Sequence, residues 1–344
     1  MIDNFLYIFL IPIILFVNRI LKKKKIFLNY TGKNHQIYTL KNKVPLSGGL
    51  FLILFFAINI NYFGFDVLIF FFIFFLIGLL ADLDIIKSPD FRFLFQILLS
   101  ILFIVNFDLT IQDIRIDFIN IFLENYYINI LFVSFCLLIL INGSNFIDGN
   151  NGLAIGYYTI VFLILIKLNY SGDISFENNQ IISFVVILII LLTFNVTNKL
   201  YLGDNGIYLL SIYAGFNLIN LFNHYPLLSP YFIANLLWYP VFEILFSMIR
   251  KLNSKFSPMK PDTLHLHQLI FFYYTKKLKF KKNVLNTFTG LTINIYNILI
   301  IYLSSTDIYN TKFQVSILII NILIYLLNYS YFKYLKKLFL KKKF

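Results

Sequence analysis
The sequence predicts an all-α polytopic membrane protein of about eleven transmembrane helices, N-terminus outside and C-terminus inside, with its working face toward the cytoplasm. Three observations carry that prediction. Hydrophobic residues make up 59% of the 344 and charged residues only 13%, too few to cover a soluble body of this size. Apolar runs near the length that crosses a hydrocarbon core recur along the whole chain. The charge is sorted by side: with the first loop in the cytoplasm, all but Arg115, Lys167 and Lys312 of the 29 Lys and Arg fall inside. That sorting also accounts for the net charge of +13, which reads as a solvated rim drawn to anionic headgroups and not as a nucleic-acid surface. The single Cys136 lies in an apolar run, which excludes a disulfide framework and a cysteine metal site.

The spans follow in order. The first, 5–21, has its lysines (Lys22 to Lys25) after the apolar run and no small-residue cleavage site, so it is expected to stay as a helix. Spans at 48–63, 66–81, 93–107, 128–141, 152–168, 180–195, 205–222, 231–249, 284–303 and 314–332 complete the set. The outside loop at 108–127 is acidic, and the alternation in TIQDIRID predicts a strand or small hairpin there. There is no internal repeat. The chain reads as one integral-membrane domain, 1–344, with a motif-bearing core at about 43–270 and a basic loop, two last spans and a basic tail at 271–344.

Five polar clusters interrupt the apolar pattern, and alternation puts all five on the inside face. They are KVPLSGG (43–49), ADLDIIKSPDFRFLFQ (81–96), NGSNFIDGNNGLA (142–154), NVTNKLYLGDNG (195–206) and PDTLHLHQ (261–268). Each residue alone has a bland reading: an Asp caps a helix, Gly-Gly at 48–49 lets helices approach, an Asn joins helices. Together on one face they suit phosphate chemistry with a divalent cation. Asp82, Asp148 and Asp204 supply oxygen ligands of the kind Mg²⁺ takes, one or two at a time, beside substrate phosphates. Asp204, in LGDNG, and Asp148, between Asn145 and Gly152, are each placed near a helix start, where free N–H groups meet an anion. His265 and His267, two apart, point the same way in an extended segment and suit a diphosphate grip better than zinc, which wants a third His or Cys. Glu243, inside the ninth span, is the one carboxylate that a transporter would also use.

These residues resemble the polyprenyl-phosphate N-acetylhexosamine-1-phosphate transferases, the MraY/WecA family of glycosyltransferase family 4. The family's Pro-x-x-Gly-Gly is matched by Pro45, Gly48 and Gly49; its Gly-x-x-Asp-Asp with following Ser-Pro, Arg and Gln by Gly78, Asp82, Ser88, Pro89, Arg92 and Gln96. Its third motif is matched by Asn142, Asn145, Asp148, Gly149, Gly152 and Leu153; its fourth by Asn195, Lys199, Leu202, Gly203, Asp204 and Gly206; its fifth by Pro261, Asp262, His265 and His267. Three positions depart from the pattern: Ala81 and Asn151 replace carboxylates, and Gln268 replaces the last His. The resemblance implies transfer of a sugar-1-phosphate from a UDP-N-acetylhexosamine to undecaprenyl or another polyprenyl phosphate, with release of UMP, in a bacterial inner membrane. It implies Mg²⁺ or Mn²⁺ on Asp204, catalytic roles for Asp82, Asp148, Asp204, His265 and His267, and substrate contacts from Asn145, Asn195, Lys199, Lys43 and Arg92. The partners expected are the two substrates, the bilayer and a second copy of the chain in a homodimer, with no nucleic acid. The departures favour a WecA-like branch serving an envelope glycan. The alternatives are a divergent or inactive member that binds or transports lipid, and an MraY-type transferase of phospho-muramoyl-pentapeptide.

Overall fold
The computed structural model describes residues 4–29, 43–175, 178–254 and 262–341. A 3₁₀ turn at Asn4–Phe9 leads into α1 (Leu10–Lys24), followed by α2 (Gly48–Ile58), α3 (Ile60–Phe63), α4 (Phe65–Asp82) and α5 (Pro89–Asn106). Next come α6 (Asp117–Leu123), α7 (Tyr126–Ile147), α8 (Leu153–Tyr170), α9 (Asn178–Val196) and α10 (Gly203–His224). The chain ends with α11 (Pro230–Leu236), α12 (Trp238–Asn253), α13 (Leu266–Lys277), α14 (Lys282–Ser304) and α15 (Thr311–Lys341). Among the described residues there is no strand, only one isolated bridge between Leu28 and Pro45.

Every apolar run that predicts a span is helical. Among the described residues, seven helices are by themselves long and apolar enough to cross a membrane, or eight if α11 and α12 count as one bent span. The others are shorter or more polar: α1 has 15 residues, α2 has 11, and α10 carries Asp204, Asn205, Asn217, Asn220, Asn223 and His224. The predicted ninth span is broken, α11 meeting α12 at 81°. Pro240 falls in the first turn of α12, where a missing N–H costs nothing, so the break lies just before it.

The expected strand or hairpin at 108–127 is replaced by an irregular stretch and α6. The side chain of Asn129 on α7 does what a partner strand would do. Its Oδ1 accepts from the Ile111 N–H at 3.0 Å and its Nδ2 donates to the Ile111 carbonyl at 2.9 Å. With both backbone groups satisfied, the stretch needs no second strand.

One continuous hydrophobic cluster runs from Tyr7 to Tyr329. At its centre the rings of Phe55, Phe56, Phe71, Phe184 and Tyr213 pack from α2, α4, α9 and α10. Buried polar side chains join the helices: Tyr7 donates to Asn59 (2.9 Å), and Asn235 donates to Gln314 (2.8 Å). The pair that places the site is α4 and α10, the most extensive helix contact among the described residues. A Cβ on Gly78 of α4 would lie 2.5 Å from the backbone nitrogen of Asn205 and 2.6 Å from the carbonyl carbon of Asp204. Only glycine lets the two backbones meet so closely. Gly78→Ala must push α10 away, and a loss of about 1–3 kcal/mol of stability is expected, read as a lower unfolding temperature in detergent micelles.

Candidate active site
The five clusters converge at one end of the bundle. Pro45 and Gly48 exchange backbone hydrogen bonds with Tyr201: its N–H donates to the Pro45 carbonyl at 2.9 Å, and its carbonyl accepts from Gly48 at 3.0 Å. Asn205 donates to the Leu46 carbonyl at 3.0 Å, tying the first cluster to the fourth. Gln96 of the second cluster accepts from Asn142 of the third at 2.9 Å. The fifth meets the third where the buried His267 ring covers Gly149, leaving no room for a side chain there.

The helix start at Gly203 is not open to an anion as expected. Asp82, the last residue of α4, already occupies it: Oδ1 accepts from the Asp204 N–H and Oδ2 from the Asn205 N–H, both at 3.0 Å, with the Asn205 side chain adding a third donor. A carboxylate on the unsatisfied N–H groups of a helix start is the standard arrangement. Here it comes from another helix. Asp82 is thus a cap that fixes α10 against α4.

That cap aims Asp204. Its Oδ2 receives the Arg92 guanidinium at 2.8 Å and its Oδ1 the Asn145 amide at 3.1 Å. Arg92 is presented by the first turn of α5, which Ser88 caps and Pro89 opens. Asn145 therefore orients Asp204. Asn195, expected to touch substrate, is fully engaged elsewhere: its Oδ1 accepts from Gly152 (2.6 Å) and its Nδ2 donates to the Leu200 carbonyl (3.2 Å). It braces the two loops of the site from within, 3% exposed. Lys199 and Lys43 are exposed at the rim and neither makes a hydrogen bond to the cluster through its side chain among the described residues. Lys260 and Pro261 lie outside the described residues.

Asp148 is not at the start of α8. It is the C-terminal cap residue of α7, where the helix dipole disfavours a negative charge. Its carboxyl makes no hydrogen bond among the described residues. Burial, then the charges of Asp204 and Asp82, push its pKa well above the usual carboxylate range. Three carboxylates thus lie near one another, and Arg92 pairs with one of them, Asp204. Burial also pushes the hydroxyl of the neighbouring Tyr201 up to about 12, with the charge of Asp148 adding to it.

The two histidines differ from the extended pair that was expected. His265 is the N-cap of α13 and His267 lies in its first turn, with rings stacked at 5.6 Å. His265 is held on both sides, its Nδ1 2.9 Å from Glu243 Oε1 and its Nε2 3.5 Å from Asp262. Glu243 also accepts from the Tyr325 hydroxyl at 2.6 Å. Burial works to raise the pKa of Asp262, but the hydrogen bond from Arg250, 2.7 Å away, leaves it below the usual range. Burial pushes His267 down to about 4, so its imidazole is neutral at pH 7, and neither ring nitrogen has a partner among the described residues. Of the pair, His267 has nitrogens to offer a ligand.

Two positions where the resemblance breaks have local partners of their own. Asn151 donates to Asn198 (2.8 Å) and accepts from Asn286 (3.3 Å), a use that needs both halves of an amide. Gln268 accepts from the His265 N–H at 3.4 Å, closing a capping box. The sequence alone did not single out Arg250, Tyr325 or Tyr208, whose hydroxyl lies 3.5 Å from Asp204 Oδ2, and it offered Glu243 only as a possible transporter residue. Asp262, three residues before His265 across a helix start, was the available signal for an ion-pair network.

The sequence pattern of glycosyl transferase family 4 matches residues 65–222, which hold the second, third and fourth clusters. A stretch covering 37% of this chain and 37% of the relative is 29% identical to the decaprenyl-phosphate N-acetylglucosaminephosphotransferase of Mycolicibacterium smegmatis. The proteins of the same name from Mycobacterium leprae and Mycobacterium tuberculosis are 27% and 26% identical over the same shares. The matched stretch thus spans little more than a third of the curated relatives. The chain is thus similar, over residues 65–222, to glycosyl transferase family 4, and the relatives matched by part of it are decaprenyl-phosphate N-acetylglucosaminephosphotransferases.

Truncating Asp82 and neutralising Asp148 should shift stability in opposite directions. Asp82→Ala leaves buried N–H groups of α10 unpaired, at a cost of about 1–3 kcal/mol. Asp148 has a raised folded pKa, so it costs stability as pH rises from its unfolded value toward its folded one. Asp148→Asn removes that cost and should unfold at an equal or higher temperature than the parent at pH 7, with a flatter dependence on pH. Thermal unfolding across a pH series checks both.

Proposed function
We propose that the chain transfers an N-acetylhexosamine-1-phosphate from a UDP-sugar to undecaprenyl or a related polyprenyl phosphate, releasing UMP. The carrying observation is that the five polar clusters meet at one end of the bundle, where Arg92, Asn145 and Asp204 of three of them are joined. A phosphate oxygen of the lipid attacks the sugar-bound phosphorus, the bond to the bridging oxygen breaks, and UMP leaves with the electron pair. Lipid phosphate is already largely ionised near neutral pH. Positioning and charge neutralisation are therefore the main tasks.

The residues fit a hard divalent cation. Asp204 and Asp148 offer oxygen ligands with more negative charge than Arg92 balances, and among the described residues no group of three His, Cys, Asp or Glu is preassembled for a metal. That suits Mg²⁺ or Mn²⁺ held by one or two carboxylates and completed by substrate oxygens. Such an ion, when bound, supplies charge neutralisation at the diphosphate. Arg92 and Asn145 hold Asp204 in place, Asp82 sets the helix that carries it, and His267 offers a neutral imidazole to the diphosphate or sugar. The sorted lysines and arginines support eleven spans with the N-terminus out and a site facing the cytoplasm, and the bacterial relatives support a bacterial inner membrane. A WecA-like role in starting an envelope glycan fits relatives named for N-acetylglucosamine transfer.

A second reading rests on Ala81 and Asp82. With Ala81 in place of a carboxylate and Asp82 spent on the α10 cap, this end of α4 has no free base. A member that binds lipid phosphate without turnover would share that feature. Purified protein incubated with undecaprenyl phosphate, Mg²⁺ and a panel of UDP-sugars distinguishes the two. UMP release with a UDP-N-acetylhexosamine, abolished by EDTA and cut at least about a hundredfold by Asp204→Asn, is expected. Lipid-phosphate binding without UMP release from any sugar favours the second reading.

A further inference from the structure
The C-terminal end of α15 holds a cavity of about 660 Å³, beside the histidine segment of the candidate active site and lined by none of its carboxylates or histidines. Lys333, Lys336, Lys337 and Lys341 surround it, with Leu264 and Tyr334 among the apolar walls. Among the described residues no carboxylate lines it and none forms an ion pair with these lysines. Lys336 donates to the Thr263 carbonyl at 2.9 Å, and Lys333 lies over the Tyr329 ring at 5.7 Å. Four ammonium groups around one hollow repel one another, and an anion inside it relieves that repulsion.

The level of the cavity follows from helix length. α15 has 31 residues, about 46 Å at the α-helical rise, against a hydrocarbon core of about 30 Å. Its last turns therefore stand in the headgroup layer. The exposed rings of Tyr331 and Tyr334 suit that boundary. The bond from Lys336 to Thr263 puts the cavity at the same end of the bundle as His265.

We propose that this cavity binds the headgroup of an anionic phospholipid. The lysine ammoniums hold the phosphate, and the lysine stems with Leu264 and Leu340 hold the start of the acyl chains. The apolar walls favour a lipid over free phosphate. The contact at Thr263 couples the bound lipid to the 262–265 segment.

The test uses the full chain in nanodiscs of phosphatidylcholine mixed equally with phosphatidylglycerol, with the phosphatidylglycerol retained after detergent extraction counted by native mass spectrometry. K333Q/K337Q/K341Q should retain at least about tenfold less, since each lysine near a charged surface contributes about 1 kcal/mol. K333R/K337R/K341R should retain the parent amount. K22Q/K23Q/K24Q removes the same charge from the exposed end of α1, which Asn18 ties to the site through the Lys199 carbonyl, and should also retain the parent amount. If the triple glutamine variant does not fold, K337Q alone should show roughly a fivefold loss. Equal loss from the α1 and α15 variants, or no loss from the α15 variant, overturns the proposal. Displacement of the lipid by inorganic phosphate at equal concentration overturns it in favour of a free-phosphate site.

Discussion

The site depends on one carboxylate sitting at the start of a helix that is not its own. Asp82 ends α4 and receives the first N–H groups of α10. A helix start leaves four donors without intrahelical partners, and near a membrane core such donors are costly to leave unmet. Asp82 meets two of them, at the positive end of the α10 dipole. The close approach at Gly78 makes the reach possible. Cap and crossing together fix where Asp204 stands, and so where Arg92 and Asn145 must come to meet it.

Around that point the charges do not balance. Asp204 and Asp148 share a small volume with Asp82, while Arg92 is the one cation paired with any of them among the described residues. Asp148 adds to the excess by sitting at the negative end of α7. A fold that needed only stability would place a lysine there, or an amide as at Asn151. An uncompensated excess of oxygen ligands in a half-buried place is what a divalent cation with an incoming diphosphate would neutralise.

Much of this was legible in the sequence. Apolar runs predict helices because a span must satisfy its own backbone, and each run is helical here. The five clusters stood out because polar residues beside apolar spans need a use, and they do meet. What was not legible depended on partners far along the chain. The role of Asp82 is set by a helix that begins over a hundred residues later, so the two readings, cap or base, could not be separated locally. The failure at 108–116 has the same cause. Alternation describes a segment's two faces but not its backbone partner, and Asn129 supplies that partner from a helix. The break before α12 could have been read, because Pro240 in WYP marks a helix's first turn.

Glu243 shows how burial alone misleads about function. An ionisable residue inside a predicted span is a reasonable sign of a transport path. Its surroundings give another account. Both oxygens are engaged, Oε1 with His265 and the Leu266 N–H, Oε2 with the Tyr325 hydroxyl. A group that carried an ion or proton through the bundle would need access from two sides, and Glu243 is 1% exposed. It instead joins α12, α13 and α15 at the His265 ring, and Arg250, one and a half to two turns further along α12, does the same for Asp262. The residue that looked most like a transporter's is therefore the one that holds the histidine segment against Gly149, beside Asp148.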